Sequence, residues 1–422
     1  MHFYIVLRST HRNWRGYWRD KCFFAYAFPR FSERFPESLS ESRRIKTLNF
    51  SPNNGTIARV EYRRRKLLAT FDVIFVEVVI MSEYKDYDSI MKEITDGLTG
   101  DPSKDISYLQ AKCDEYKEHE FSKEIIRACG RLMYEVIPDD KKEELKKVSQ
   151  NDSLGAESAL EEIDSNIRKN DYEKALKLAE KLVSKIEAAN LYQDDKVSEY
   201  HQFKEFFEEV LYRFLYKPTK DLRRAEQIPY TEVYMLYGGL LVEFKRFEDA
   251  RKALQTGLRW NPVDFSIMSE YIETFKMEGD MDTFFEKTIE SFKIAIHATQ
   301  LARCYRNLGY YFIEKKLYKE ALSVYMLSLK YDKDSEQAKS EMKYIQQISG
   351  GVKKPSFEET KNYAAKYGFP AEPNNDVLGL AFSYGKHFMD NGEANGAKYC
   401  FSIVYELTRD EHIKEMIDSI SE

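Results

Sequence analysis

The sequence predicts an all-α protein, a solenoid of stacked antiparallel helix pairs, on three observations. Tyr and Phe number 30 and 27 against 18 Gly and 11 Pro, so few turn-forming residues separate many bulky apolar ones. From Asp86 onward apolar residues recur at helical spacing, beginning with Ile90, Ile94 and Leu98. A glycine followed twelve residues later by an alanine then occurs three times, as Gly238 and Ala250, Gly309 and Ala321, and Gly385 and Ala397. A small residue on each helix of an antiparallel pair lets two backbones approach closely. Twelve residues carry the chain round the intervening turn to that crossing.

Composition bounds the rest. The chain has 422 residues, 43% hydrophobic and 32% charged, enough to bury a large core under ample polar surface. Its mean hydropathy is -0.59. The longest apolar stretch, Leu67 to Ile80, spans 14 residues and contains Asp72 and Glu77, too short and too charged to cross a bilayer. The five cysteines are scattered with no CxxC pair and read as buried reduced thiols. With arginines punctuating the N-terminus in place of a signal peptide, a cytoplasmic location is expected.

The net charge of -6 hides an asymmetry, for residues 1–80 hold 15 Lys and Arg against 7 Asp and Glu, a net of +8. Their arginines and aromatics follow no helical or alternating period. Read as a real segment, 1–80 is a basic arm able to neutralise phosphates and stack on bases. We expect instead an unstructured extension upstream of a natural start at Met81. No other Met follows Met1 before it, and Val76-Glu77-Val78 can be encoded with GGAGG, a ribosome-binding sequence. No nucleic-acid partner is expected unless this arm belongs to the native protein.

From Met81 the chain divides into 81–230, a helical region with degenerate repeats; 231–349, the regular repeats; and 350–422, a linker with a C-terminal helix and a last repeat. A stop at Gly100 and a start at Asp101-Pro102-Ser103 lead into a helix pair over Ile106 to Tyr116 and Phe121 to Val136. A second pair covers Ser158 to Lys169 and Tyr172 to Ala189, joined by Asn170-Asp171. Val197 to Tyr216 is expected to be one long helix whose stripe of Phe203, Phe206, Phe207, Val210, Leu211, Phe214 and Leu215 packs into the core. Ser349 to Pro355 reads as a linker. Ser356 with Glu359 forms a capping box for a helix ending near Gly368.

The Gly/Ala pairs sit in a longer pattern. The first match runs Tyr234, Tyr237, Gly238, Leu241, Ala250, Leu254 and Pro262; the second Tyr305, Leu308, Gly309, Phe312, Ala321 and Tyr325; the third Ala381, Tyr384, Gly385, Phe388, Ala397 and Phe401. A degenerate unit over Phe265 to Ala298, with Ile272 in the glycine position and bulky residues at both close-approach positions, fills the gap between the first two and implies a wider crossing or a bend. This pattern resembles the tetratricopeptide superfamily over Thr231 to Asp264, Ala302 to Ser335 and Leu378 to Glu411, and more weakly over Ala156 to Ala189. Leu301 to Gly309 also resembles a group of bacterial tetratricopeptide proteins. The resemblance implies a right-handed α-solenoid whose concave face binds a peptide or partner protein.

No catalytic signature accompanies it. The seven histidines form no HExxH or His/Cys ligand set, and GxGxxG, GxxxxGK[ST] and GxSxG are lacking. His297 and Cys304, seven apart, share a helix face at most. We therefore expect no cofactor, no metal and no enzyme. Inward-facing residues of the first helices are the groove candidates: Arg303, Arg306, Asn307, Tyr310 and Lys386, with Glu232, Glu270 and Glu273 as acidic counterparts. Arginines there can fork onto a partner carboxylate, or simply pair with Glu270 and Glu273. The Lys/Asn set with which some superfamily members grip a C-terminal carboxylate is not reproduced, so that activity is not carried over.

The expected function is a scaffold that docks a protein or peptide. The alternative is a peptide-sensing regulator that changes superhelical shape on binding, weakened by the lack of a helix-turn-helix signature before Leu160. Intact mass of the protein made from its own locus should match Met81 to Glu422; a product beginning at Met1 would overturn the start assignment.

Overall fold

The computed structural model describes residues 87–139, 141–142 and 154–420; the expectation for 1–80 lies outside them. A helix over 87–96 (α1) leads into α2 (Pro102–Glu115) and α3 (Ser122–Val136). Asp101 caps α2 by accepting from the backbone N–H groups of Ser103 and Lys104, with Pro102 at the first helical position. Next come α4 (Ala156–Arg168) and α5 (Tyr172–Ala189). The regular repeats follow as α7 (Tyr230–Glu243) with α8 (Phe247–Trp260), α9 (Phe265–Glu278) with α10 (Met281–Ser291), and α11 (Ala298–Glu314) with α12 (Tyr318–Tyr331). After α13 (Glu336–Ile348) and α14 (Phe357–Tyr367), the last pair is α15 (Asn375–Asp390) and α16 (Ala394–Thr408), followed by α17 (Glu411–Ser419). The described residues form a succession of antiparallel helix pairs. Neither α13 nor α17 carries a repeat match, and both escape the pattern.

One turn recurs between the paired helices. Asn170, Lys245, Lys316 and Gly392 each take a left-handed backbone conformation, with φ of 61°, 57°, 59° and 75°. The next residue's N–H then reaches back to a carbonyl of the preceding helix: Asp171 to Asn166, Arg246 to Leu241, Leu317 to Phe312 and Glu393 to Phe388, all at 2.8–2.9 Å. That bond satisfies a carbonyl the helix end would otherwise leave open, and it fixes the angle at which the second helix departs. The capping box of Ser356 and Glu359 and the left-handed Gly368 bound α14 as expected.

The Gly/Ala pairs mark the crossings, with a different division of labour. Ala250, Ala321 and Ala397 are fully buried. Each glycine, however, faces the large residue four positions beyond the alanine. A Cβ on Gly238 would lie 2.6 Å from Leu254 Cγ, one on Gly385 2.7 Å from Phe401 Cε1, and one on Gly309 would strike the Tyr325 ring. The glycine is a slot for a ring or isobutyl group. Pro262, half-buried, follows Asn261 at the end of α8 and forbids its continuation. In the degenerate unit Ile272 and Phe284 take the two positions and pack with Phe275 in a small cluster of their own.

The expected helix over Val197 to Tyr216 is corrected. Its first part is a strand, β1 (Ser198–His201), followed by α6 (Phe206–Tyr216) and β2 (Asp221–Arg224), and the strands pair in parallel from Ser198 opposite Asp221 to His201 opposite Arg224. Asp195 Oδ1 accepts from the N–H groups of Val197 and Ser198 and commits that backbone to an extended path. Of the apolar stripe, Phe207, Val210 and Leu211 are buried, while Phe214 is 40% exposed. Buried residues then run in one contiguous cluster from Phe207 of α6 through α11 and α12 to Ile413 of α17. Phe206 meets Tyr384 and Phe388 of α15 edge-on at 5.7 and 5.4 Å.

Gly309→Ala should destabilise the chain by about 1–3 kcal/mol in urea unfolding, because the buried Tyr325 ring has nowhere to move. Gly239→Ala, whose Cβ meets open space in the same helical setting, should instead gain about 0.5–1 kcal/mol. A gain at both positions would refute the slot.

Candidate functional site

On α11, Leu301, Ala302, Tyr305, Leu308, Gly309 and Phe312 turn into the core. Arg303, Arg306, Asn307 and Tyr310, at spacings of three and four, fall on another face and are only half-buried. The structure brings these four candidates together and shows what already holds two of them. Arg303 Nη2 lies 3.3 Å from Glu270 Oε1 of α9. Arg306 Nη1 lies 3.0 Å from Asp332 Oδ2 and 3.4 Å from Ser328 Oγ, with its side chain only 15% exposed. Glu273 pairs with Lys276 of its own helix at 2.8 Å.

Tyr310 is the centre of the exposed part. Lys276 Nζ sits 4.6 Å from its ring centroid, and Phe284 meets the ring edge-on at 6.0 Å. Burial, with the charges of Glu314, Glu273 and Glu341, raises its hydroxyl pKa. Burial likewise raises Glu341 of α13, opposed by Lys276. Met277 of α9 is 55% exposed. Lys386 is on α15, exposed, with Nζ 5.7 Å from the centroid of Phe382. It shares no described contact with the α11 set. Glu232 of α7 is half-buried and acts on Lys204.

A second constellation, which no sequence pattern announced, is an ionic junction where three chain-distant elements meet. His297, which precedes α11, places Nδ1 3.0 Å from Glu406 Oε2 of α16 and Nε2 3.5 Å from Glu205 Oε2 at the start of α6. Tyr399 of α16 donates its hydroxyl to Glu205 at 2.7 Å, and Glu406 Oε1 accepts the N–H of Ala298 at 3.0 Å. Both carboxylates lie at helix N-termini, where the aligned peptide dipoles favour negative charge. Burial works against a charged His297, but the two carboxylates overcome it and hold the imidazolium with a pKa pushed up to about 10. Burial is overcome in the same way at Glu205 and Glu406, both lowered by hydrogen bonds from His297.

Beside it, Glu208 Oε2 accepts from the N–H groups of Lys204 and Glu205 at 2.6 and 3.3 Å and from Asn261 Nδ2 at 2.8 Å. Lys204 Nζ sits 2.6 Å from the buried Asp264. Burial, reinforced by the charge of Asp264, pushes the Glu208 carboxyl up to about 7. Cys304 hydrogen-bonds with Ser291 at 3.2 Å, so His297 and Cys304 are used separately. Among the described residues no group of three or more His, Cys, Asp or Glu side chains is placed to hold a metal, and no helix is long and apolar enough to cross a membrane.

No family model matches the chain, and no curated protein matches it. Among solved structures it is similar to the pilF protein of Pseudomonas aeruginosa, at 8% identity and a TM-score of 0.33 over 64% of this chain and 99% of that one. It is also similar to a tetratricopeptide repeat protein from Parabacteroides merdae, at 10% identity and a TM-score of 0.32 over 79% of this chain and 98% of that one. Scores this low carry no argument; the character of the fold rests on its own helix pairs and glycine slots.

The charged groups make stability depend on pH with opposite signs. The raised His297 contributes fully below its ordinary pKa of 6.5 and loses that contribution as pH climbs to about 10, while the lowered Glu205 and Glu406 contribute above the usual carboxylate range and lose it in acid. Glu208 does the reverse: its folded pKa lies above the unfolded one, so its contribution is greatest in acid and disappears as pH rises through about 7. Glu208→Gln keeps the acceptor and removes the ionisation. It should recover up to about 3 kcal/mol at pH 8 relative to pH 5 in urea unfolding; an unchanged pH profile would contradict the assignment.

Proposed function

We propose that this protein is a non-catalytic interaction scaffold that binds a peptide or protein segment along the face of its first helices, centred on Tyr310. The observation that carries the reading is the placement of Tyr310. It stands half-exposed among α9, α11 and α13, an aromatic surface bordered by Lys276 and by the carboxylates of Glu273, Glu314 and Glu341. A rigid aromatic flanked by charges supplies contact area at low entropic cost and is the usual anchor of a binding hot spot.

Within this face Arg303, Asn307 and Tyr310 are the contact residues we favour, with Lys386 as a separate point of attachment on the last repeat. Arg306 belongs to the fold more than to a partner, because reversing its charge would leave Asp332 facing a carboxylate inside a protected site. The alternative, a sensor that changes pitch, requires the repeats to slide past one another. The junction at His297 opposes that motion by tying α6 and α11 to α16.

A photo-crosslinking residue at position 310 should capture a discrete partner in native cells, and Arg303→Glu with Asn307→Ala should reduce capture at least tenfold while leaving the helical signal intact. Equal capture from positions 310 and 386 in the double variant and in the wild type would reject the α11 face.

A further inference from the structure

The two-stranded sheet is sealed along one side only. Asp221 donates its N–H to the Val197 carbonyl at 2.8 Å and Ala225 donates to His201 at 2.9 Å, so the odd-numbered residues of the two strands face each other across the ladder. The even-numbered residues of β1 point the other way, and their backbone groups are all taken. Ser198 donates to Asp195 Oδ1 at 2.7 Å and accepts the Asp195 N–H at 2.9 Å. Tyr200 donates to Asp194 Oδ1 at 2.9 Å and its carbonyl accepts from Arg259 Nη1 at 2.9 Å. By the same alternation the N–H and C=O groups of Leu222 and Arg224 point away from β1, and among the described residues none of the four is hydrogen-bonded. Asp221 and Arg224 are exposed, and Leu222 and Arg223 are half-buried. An open strand edge of this kind is a template for a further strand.

We propose that β2 takes an extended acidic segment of a partner protein as a third strand. This surface is separate from the α11 face and uses none of its residues. The outward donors and acceptors of Leu222 and Arg224 hold the backbone of the incoming segment, and charge selects its side chains. Residues 213–224 contain five Lys and Arg against one Asp, in a chain whose net charge is -6. Arg223 is held by Asp221 and Arg224 by Glu209, each at 3.1 Å and partly exposed, so a carboxylate on the added strand can replace either at little cost. The same charges work against a second copy of this chain. Antiparallel pairing of two β2 edges through all of these groups sets their Arg223 side chains directly opposite each other, and like charges in that position repel.

The full chain titrated with a fluorescent heptapeptide of alternating Glu and Val should bind it, and binding should slow hydrogen exchange at the amides of Leu222 and Arg224. The counterpart of alternating Lys and Val should bind at least tenfold more weakly. Leu222→Pro removes one outward donor and leaves the ladder donors of Asp221 and Ala225 in place; with the helical signal intact, it should weaken the acidic peptide at least tenfold. Should that variant fail to fold, exchange in the unaltered chain decides. Leu222 and Arg224 amides that exchange as slowly as those of Asp221 and Ala225 in the free protein, or that the peptide does not slow, would overturn the proposal. So would equal binding of the two peptides, undiminished binding by folded Leu222→Pro, or dimerisation of the free chain that Leu222→Pro abolishes.

Discussion

The imidazolium of His297, held between the carboxylates of Glu205 and Glu406, is the constraint on which the rest of the arrangement depends. Charges taken out of water carry a desolvation cost that an isolated ion pair rarely recovers. Here they are distributed so that little is left unmet: His297 uses both ring nitrogens, Glu205 also accepts from Tyr399, and Glu406 also accepts a backbone N–H at the start of α11. The result is directional as well as attractive. Apolar contacts between Phe206 and α15 would tolerate a shift of a few tenths of an ångström, whereas these hydrogen bonds accept one register. The junction therefore specifies where the last repeat docks, and the apolar cluster supplies the driving force.

This division explains why two kinds of residue behave so differently across the molecule. At the helix crossings, specificity is steric: a glycine opposite Leu254, Tyr325 or Phe401 admits a large group where any side chain would collide. At the junction it is electrostatic. On the first-helix face neither holds fully, and Tyr310 with its surrounding charges is the part of α11 that the fold leaves half-used.

Much of this was legible in the sequence because it is local. The glycine, the alanine and the large residue four further on lie within sixteen positions, and the turns between them repeat one conformation, so three pairs declare themselves. The strand β1 does not, because its four residues lead into a stripe of phenylalanines that continues a helical period; what makes them extended is the hydrogen bond that the Ser198 N–H donates to Asp195 and a partner strand more than twenty residues on. The junction was invisible because His297, Glu205 and Glu406 are ordinary residues at helix ends whose meaning arises only when distant segments meet. The intramolecular pairing of the arginines was half legible. Arg303 and Arg306 do lie together on α11, and Arg303 does pair with Glu270, but the partner of Arg306, Asp332, sits at the end of α12 where no pattern pointed.

An open array of repeats, each touching only its neighbours, can nucleate anywhere and fray from its ends. This chain has a contact between Glu205 and Tyr399, 194 residues apart in sequence, which turns a line into a loop. Ordering that loop costs roughly 5 kcal/mol of chain entropy before the contact is made, so it is expected to close late, after the intervening pairs are in place. Once closed, it removes the terminus from which the last repeat would unzip. The physical consequence is a trade: slower assembly, in return for unfolding that involves α6 through α16 together and not one helix pair at a time.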